Sequence, residues 1–167
     1  EDVFDRQNSG NDFSVGARDI QSVYERLYTA DHNEVDFVDL GCPHYTLDQI
    51  RKVASLIDGR KVHKNVRFWV FTSRSVKAMA DRMGYSKAIK DAGGLVVCDC
   101  CGTSSHLRKT VCCEYRLPVP SVQITMTDSV KQCKYANDSI GSKTILANVE
   151  DCIEAAFTGK GEVRCRG

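Results

Sequence analysis

The stretch Val35-Asp36-Phe37-Val38-Asp39-Leu40-Gly41-Cys42-Pro43-His44-Tyr45-Thr46-Leu47 joins an apolar, β-branched run to a turn and then to the first residue of a helical pattern. A strand from about Val35 to Leu40 is expected to end at Gly41, with Pro43 carrying the chain across to a helix that begins near Thr46. Such strand-turn-helix units are the repeating pieces of α/β domains. Cys42 then stands at a carboxyl edge of a sheet, facing the crevice in which open α/β sheets bind ligands.

Outward from this unit, strand and helix alternate. Leu47, Ile50, Val53, Ala54 and Ile57 share one helical face, and Asp58-Gly59 closes that helix, glycine suiting the left-handed conformation of a helix end. Val66 to Thr72 reads as a buried strand, and Ser73 or Ser75 caps a helix that runs through Met83 to Gly84. A short helix over Ser86 to Ala92 leads through Gly93-Gly94 to a third strand, Leu95 to Cys98. Ser121 to Met126 is a fourth strand, followed by a helix over about Asp128 to Tyr135. Lys143 to Leu146 is a fifth, and Val149 to Phe157 is a last helix between Asn148 and Gly159. Upstream, Ile20, Val23, Tyr24, Leu27 and Tyr28 follow helical spacing from Ala17 to Tyr28. The expectation is a doubly wound, mostly parallel sheet of about five strands with helices on both faces. Residues 1–15 read as a loose arm, 16–160 as one α/β domain, and 161–167 as a tail.

Composition narrows the class. A formal net charge of +1 with 27% charged residues gives no global field that would draw nucleic acid or an anionic membrane. No apolar run reaches the roughly 20 residues needed to span a bilayer, and Glu1 to Ser14 is polar and acidic rather than signal-like. These features point to a soluble, cytoplasmic chain. The first residue is not Met, which suggests an excised segment, a processed product or part of a longer gene product.

Nine cysteines are many for such a domain, and an odd number. With no secretion signal and a length that suits an ordinary core, a disulfide framework is not expected. Cys133, Cys152 and Cys165 lie in periodic or terminal segments and read as small buried hydrophobes. Cys42, Cys98, Cys100, Cys101, Cys112 and Cys113 lie at strand ends or in loops. A thiolate from Cys42 and one from the Cys98 to Cys101 group suit iron–sulfur or zinc binding, since soft sulfur ligands favour both. His44, two residues from Cys42, suits substrate orientation or proton transfer, although a lone loop histidine is more often a surface residue. Thr127-Asp128-Ser129-Val130-Lys131 opens a helix after a strand, where N–H groups and hydroxyls meet carboxylates or phosphates. An ordinary helix cap with a solvated lysine explains the same residues, and Asp128 would repel an anion if it faced the site.

Four segments in order carry a resemblance: Gly41-Cys42-Pro43-His44; Ala92-Gly93-Gly94-Leu95-Val96-Val97-Cys98-Asp99-Cys100-Cys101; Thr127-Asp128-Ser129-Val130-Lys131-Gln132-Cys133-Lys134-Tyr135; and Asn148 to Gly159. Together they resemble the carboxyl-terminal part of the large catalytic domain of the aconitase X family, over roughly residues 35 to 159. The resemblance implies an aconitase-like catalytic subdomain of an iron–sulfur hydro-lyase. Its substrate is a hydroxy acid, cis-3-hydroxy-L-proline first and mevalonate 5-phosphate next. It implies Cys42 and Cys101 as ligands of a 2Fe-2S or 4Fe-4S cluster. His44 and Ser73 become substrate-pocket groups, and Thr127, Ser129 and Lys131 anion binders. The third ligand is implied to come from an amino-terminal catalytic segment outside this stretch, and the catalytic serine base from a small swivelling domain or subunit. Arg74, Lys77, Arg108 and Lys109 are candidates for a phosphate. The competing expectation is a non-catalytic doubly wound binding or assembly module, with zinc in place of a cluster.

Overall fold

The computed structural model describes residues 13–105 and 122–163. Nearly all of the expected amino-terminal arm, most of the tail, Cys112, Cys113, Cys165, Arg108 and Lys109 lie outside those residues. Five strands, β1 (Phe37–Tyr45), β2 (Arg67–Thr72), β3 (Leu95–Cys98), β4 (Ile124–Thr127) and β5 (Lys143–Leu146), form one sheet in the order β3-β2-β1-β4-β5. All its pairs are parallel. The described helices are α1 (Ala17–Leu27), α2 (Leu47–Ile57), α3 (Arg74–Arg82), α4 (Tyr85–Asp91), the one-turn α5 (Gly102–Ser105), α6 (Val130–Ile140) and α7 (Val149–Thr158).

Alternation along the strands sorts the side chains onto two faces. Val38, Leu40, Phe68, Val70 and Val96 pack in one apolar cluster with Ile50, Val53 and Ile57 of α2, Ala80 of α3, Ile89 of α4 and Ile153 of α7. Each such fully buried Leu, Ile or Phe stabilises the fold by roughly 1.5–3 kcal/mol relative to exposure. Phe37, Trp69, Phe71 and Val97 form a second, smaller cluster. Phe37 and Trp69 meet edge to face with ring centroids 5.4 Å apart. Cys133 and Ala136 of α6 are also fully buried, and α6 packs on β4 and β5. α2, α3, α4 and α7 pack on the face of the first cluster, and α6 packs on the other, over Asp39. The chain therefore reverses its winding between β1 and β4, the topological switch point at which sheets of this order open a crevice.

The local signals that set the elements are mostly those expected. Thr46 caps α2, its side chain accepting from the Gln49 N–H while Gln49 Oε1 accepts from the Thr46 N–H. Ser73, not Ser75, caps α3 by accepting from the Val76 N–H at 3.3 Å. Two expectations need correction. β1 does not stop at Leu40: it runs through the Gly41-Cys42-Pro43 turn to Tyr45, with a register irregularity between Leu40 and Tyr45. The continuation is held from the neighbouring strand, where Thr72 Oγ1 donates to the Tyr45 carbonyl at 2.6 Å and Tyr45 pairs with Thr72. α6 begins at Val130 and extends to Ile140, one turn past Tyr135, because Gly141 at φ 66° supplies the left-handed stop. α1 forms as its spacing predicts but buries none of its residues; Ile20 and Tyr24 remain 55% and 40% exposed. It lies along the β5 and α6 edge, where few of its apolar groups meet a partner.

Candidate functional site

A cleft of about 510 Å³ opens at the carboxyl edge of the sheet, and Cys42, His44, Cys101, Lys131 and Tyr135 line it. Its parts come from three places in the chain: the turn inside β1, the loop after β3, and the first turns of α6. That is the crevice the switch point predicts.

The β1 turn is fixed by what surrounds it. Gly41 has φ 100°, and a Cβ there would collide with the Phe71 carbonyl oxygen of β2, so only glycine lets the two backbones approach. The Cys42–Pro43 bond is cis. From the other side, Ser129 Oγ donates to the Cys42 carbonyl while accepting from the Gln132 N–H at 3.1 Å. Asp128 accepts from the Tyr45 hydroxyl and from the Gly41 N–H. The carboxylate that threatened to repel an anion is thus turned onto the β1 turn. Burial raises its pKa, against the lowering effect of these hydrogen bonds.

The β3 loop meets this turn through His44. Its Nε2 lies 2.8 Å from the Cys100 carbonyl oxygen. A carbonyl only accepts, so Nε2 carries a proton and donates, which leaves Nδ1 free of this contact. Cys100 and Cys101 both line the cleft; Cys100 also packs against the Phe37-Trp69 cluster, while Cys101 has its Sγ 3.4 Å from Thr103 Oγ1. Of the two, Cys101 is the one whose charge acts on Cys42. Cys98 and Cys101 also stand at Cys-x-x-Cys spacing. That spacing suits a thiol redox pair as well as a metal site. Burial pushes the Cys42 thiol up, with Asp39 and Cys101 acting in the same direction and Ser129 and Lys131 opposing. A redox nucleophile needs its thiolate stabilised. A metal instead displaces the proton itself.

Beneath the cleft lies a pair that the sequence reading did not single out. Asp39, fully buried in β1, accepts from Gln132 Nε2 of α6. Burial raises the Asp39 pKa well above the usual carboxylate range, nearby Cys101 and Asp128 reinforce this, and the Gln132 bond opposes it. Asp39 Oδ1 and Gln132 Oε1 are buried and have no hydrogen-bond partner among the described residues. The available signal was a charged residue inside an apolar strand run.

The remaining expected residues separate. Thr127 is fully buried, its Oγ1 accepting from the Ser129 N–H at 3.3 Å. Lys131 is exposed at the cleft, its Nζ 5.6 Å from the centroid of the Tyr135 ring. Ser73 lies in a different, shallow depression with Arg74 and Asp99, which form an ion pair at 2.9 Å. Lys77 pairs with Asp81. Cys133 and Cys152 are buried, as expected.

The thiols on this cleft, those of Cys42, Cys100 and Cys101, are donors of the type that iron–sulfur clusters and zinc take. Among the described residues no three His, Cys, Asp or Glu side chains group to hold a metal ion. Among the described residues, no helix is long and apolar enough to cross a membrane.

Comparison with known proteins places this arrangement. The large subunit of phosphomevalonate dehydratase from Methanocaldococcus jannaschii is 34% identical over 141 residues, covering 84% of this chain and 32% of that protein. Cis-3-hydroxy-L-proline dehydratase from Pseudomonas aeruginosa is 28% identical over 146 residues, covering 87% of this chain and 24% of that protein. The crystal structure of Thermococcus kodakaraensis aconitase X, a holo-form, superposes with a TM-score of 0.70 at 27% identity, covering 86% of this chain and 34% of that one. The chain thus spans between about a quarter and a third of the length of these relatives. Residues 35–158 match the model of the aconitase X third domain, and the chain belongs to the aconitase X family.

Proposed function

We propose that this domain is the carboxyl-terminal part of the large catalytic unit of a dehydratase that removes water from a hydroxy acid. The observation that carries the reading is that Cys42 and Cys101, far apart in sequence, line one cleft with His44 and Lys131. Cys42 and Cys101 would be two of three ligands to an iron–sulfur cluster, 2Fe-2S or 4Fe-4S, with the third from another segment of the protein. When bound, the cluster supplies a Lewis-acid iron that polarises the leaving hydroxyl.

The chain's own residues bind and orient. Lys131 is the cation lining the cleft among the described residues, and its ammonium suits the carboxylate shared by the candidate substrates. His44 can orient a substrate hydroxyl through Nδ1 while its Nε2–H keeps the ring tied to the Cys100 carbonyl. Ser129 and Thr127 hold the Cys42 turn rather than reaching into solvent, and Ser73 stays outside the site. The base that removes the proton next to the carboxylate would come from a small swivelling domain or subunit. A single cation at the cleft among the described residues favours cis-3-hydroxy-L-proline over the more highly charged mevalonate 5-phosphate. The greater identity to the phosphomevalonate relative favours the second. The reading places the protein in the cytoplasm, without nucleic acid or membrane as a partner.

Anaerobic reconstitution of the protein with iron, sulfide and its partner segments should give a sulfur-to-iron charge-transfer absorption that Cys42→Ala or Cys101→Ala abolishes. Both substrates are then assayed for water loss. Undiminished absorption in either variant, or zinc alone in the purified protein, refutes the cluster assignment.

A further inference from the structure

The two cysteine-bearing turns rest on one turn of α6. Ser129 Oγ holds the Cys42 carbonyl, and one helical turn further on Gln132 Nε2 holds Asp39. Gly102, next to Cys101, sits directly on that second pair: a Cβ there would collide with the Asp39 carboxyl and stand 2.8 Å from Gln132 Nε2. Asp39 and Gln132 are both fully buried, in a place where an apolar pair of similar volume would fill the space without leaving polar atoms unpartnered. A buried polar pair that carries such a cost suits a role in fixing geometry, since hydrogen bonds select one arrangement where apolar packing permits several.

We infer that Asp39 and Gln132 are positioning residues that set the Cys101 turn opposite Cys42 before any metal arrives. The inference rests on reading Cys42 and Cys101 as ligands of one site. Gln132 supplies the donor, Asp39 the acceptor beneath the loop, and Gly102 the absence of a side chain that lets the loop descend onto them. Ser129 does the corresponding task for Cys42. Because Ser129 caps α6 and Gln132 lies in its first turn, the separation between the two cysteine turns is set by helix geometry, not by the flexibility of either loop.

The test uses the intact protein, metal-free and reduced, treated briefly with dibromobimane, which bridges closely placed thiols; bridged peptides are mapped by mass spectrometry. The native protein should yield a Cys42–Cys101 bridge. Gln132→Met removes the donor and should lower that yield at least about five-fold, the ratio that a net hydrogen bond of about 1 kcal/mol sets. Gly102→Ala should lower it comparably without altering α6. Asp39→Asn keeps an oxygen that accepts from Gln132 and should stay within about two-fold of the native yield, a rescue that general destabilisation would not produce. Cooperative thermal unfolding of each variant checks that it is folded. No Cys42–Cys101 bridge in the native protein, or native yield in folded Gln132→Met or Gly102→Ala, overturns the inference. Loss of the charge-transfer absorption assignment with the bridge pattern intact would instead count against the cluster reading.

Discussion

Replacing Gly41 by alanine should be far more damaging than the same change at Gly59, although both have positive φ. At Gly59, with φ 72°, a Cβ meets nothing within 4 Å, so the cost is the backbone strain alone, roughly 1–2 kcal/mol. At Gly41, with φ 100°, a Cβ collides with the Phe71 carbonyl oxygen and stands 3.0 Å from the Phe71 carbonyl carbon and nitrogen. Strain in that sparsely populated region costs about 1–3 kcal/mol. Separating β1 from β2 to admit the methyl costs about 1–3 kcal/mol more, because the obstacle is backbone and cannot swing aside. A mid-range loss of about 4 kcal/mol lowers the melting temperature of a chain this size by about 8–16 °C. The assay is thermal unfolding of the metal-free protein followed by circular dichroism, with Gly59→Ala as the reference. Should Gly41→Ala melt within a degree or two of Gly59→Ala, the close approach of β1 and β2 at the Cys42 turn is wrong, and with it the geometry of the cleft.

Three further outcomes follow from the same structure. Thr46→Ala removes the side-chain acceptor of the Gln49 N–H at the start of α2 and should cost about 1 kcal/mol, read as a shift in the urea midpoint with unchanged slope. Burial pushes the Cys133 thiol from 9.0 to about 12, so the folded chain keeps a proton that the unfolded chain loses. That contribution is intact below about pH 9 and declines towards pH 12 by at most about 1.4 kcal/mol per unit. The stability gap between native protein and Cys133→Ala should therefore narrow as pH rises from about 9 to 11; a constant gap contradicts it. Lys131→Met should raise KM for the hydroxy acid by about 10-fold or more with a smaller change in kcat, as expected for a lost charge-assisted contact, and Lys131→Arg should restore most of it.

What could be read before the structure was known follows the range of the interactions that decide each feature. α2 and β5 fall on their expected residues because a capping box, a helical stripe and a short apolar run are written within a few neighbours. The end of β1 was misplaced because its last pair, Tyr45 with Thr72, is made by another strand. Glycine and proline did mark a break there, but as an irregularity inside a strand rather than its end. The apolar spacing of α1 was equally local and equally correct as to helix, yet it did not reveal whether the stripe would be covered. In the site, Cys42 and His44 were visible as an unusual strand end. Ser73 looked equivalent, standing after the next strand, and the structure separates it because its hydroxyl turns back to cap α3.

Asp39 and Gln132 show why the rest was hidden. In sequence one is an acid in a strand and the other a polar residue in a helix, and neither has a motif. They meet because the order β3-β2-β1-β4-β5 sets β4 beside β1, bringing the helix that follows β4 over the strand that carries Asp39 and Cys42. The same adjacency puts Lys131 on the cleft wall and Ser129 under the Cys42 turn. The switch point is therefore more than a place where loops diverge and leave room for a ligand. It is where α6 and its capping residue touch both cysteine-bearing turns at once, which on the proposed reading fixes the two thiols before another segment joins them. A site completed by a ligand from elsewhere needs that rigidity on the side already built, since two loose thiols and an incoming third would have to be ordered together, each side chain adding about 0.5–1.5 kcal/mol to the cost of assembly.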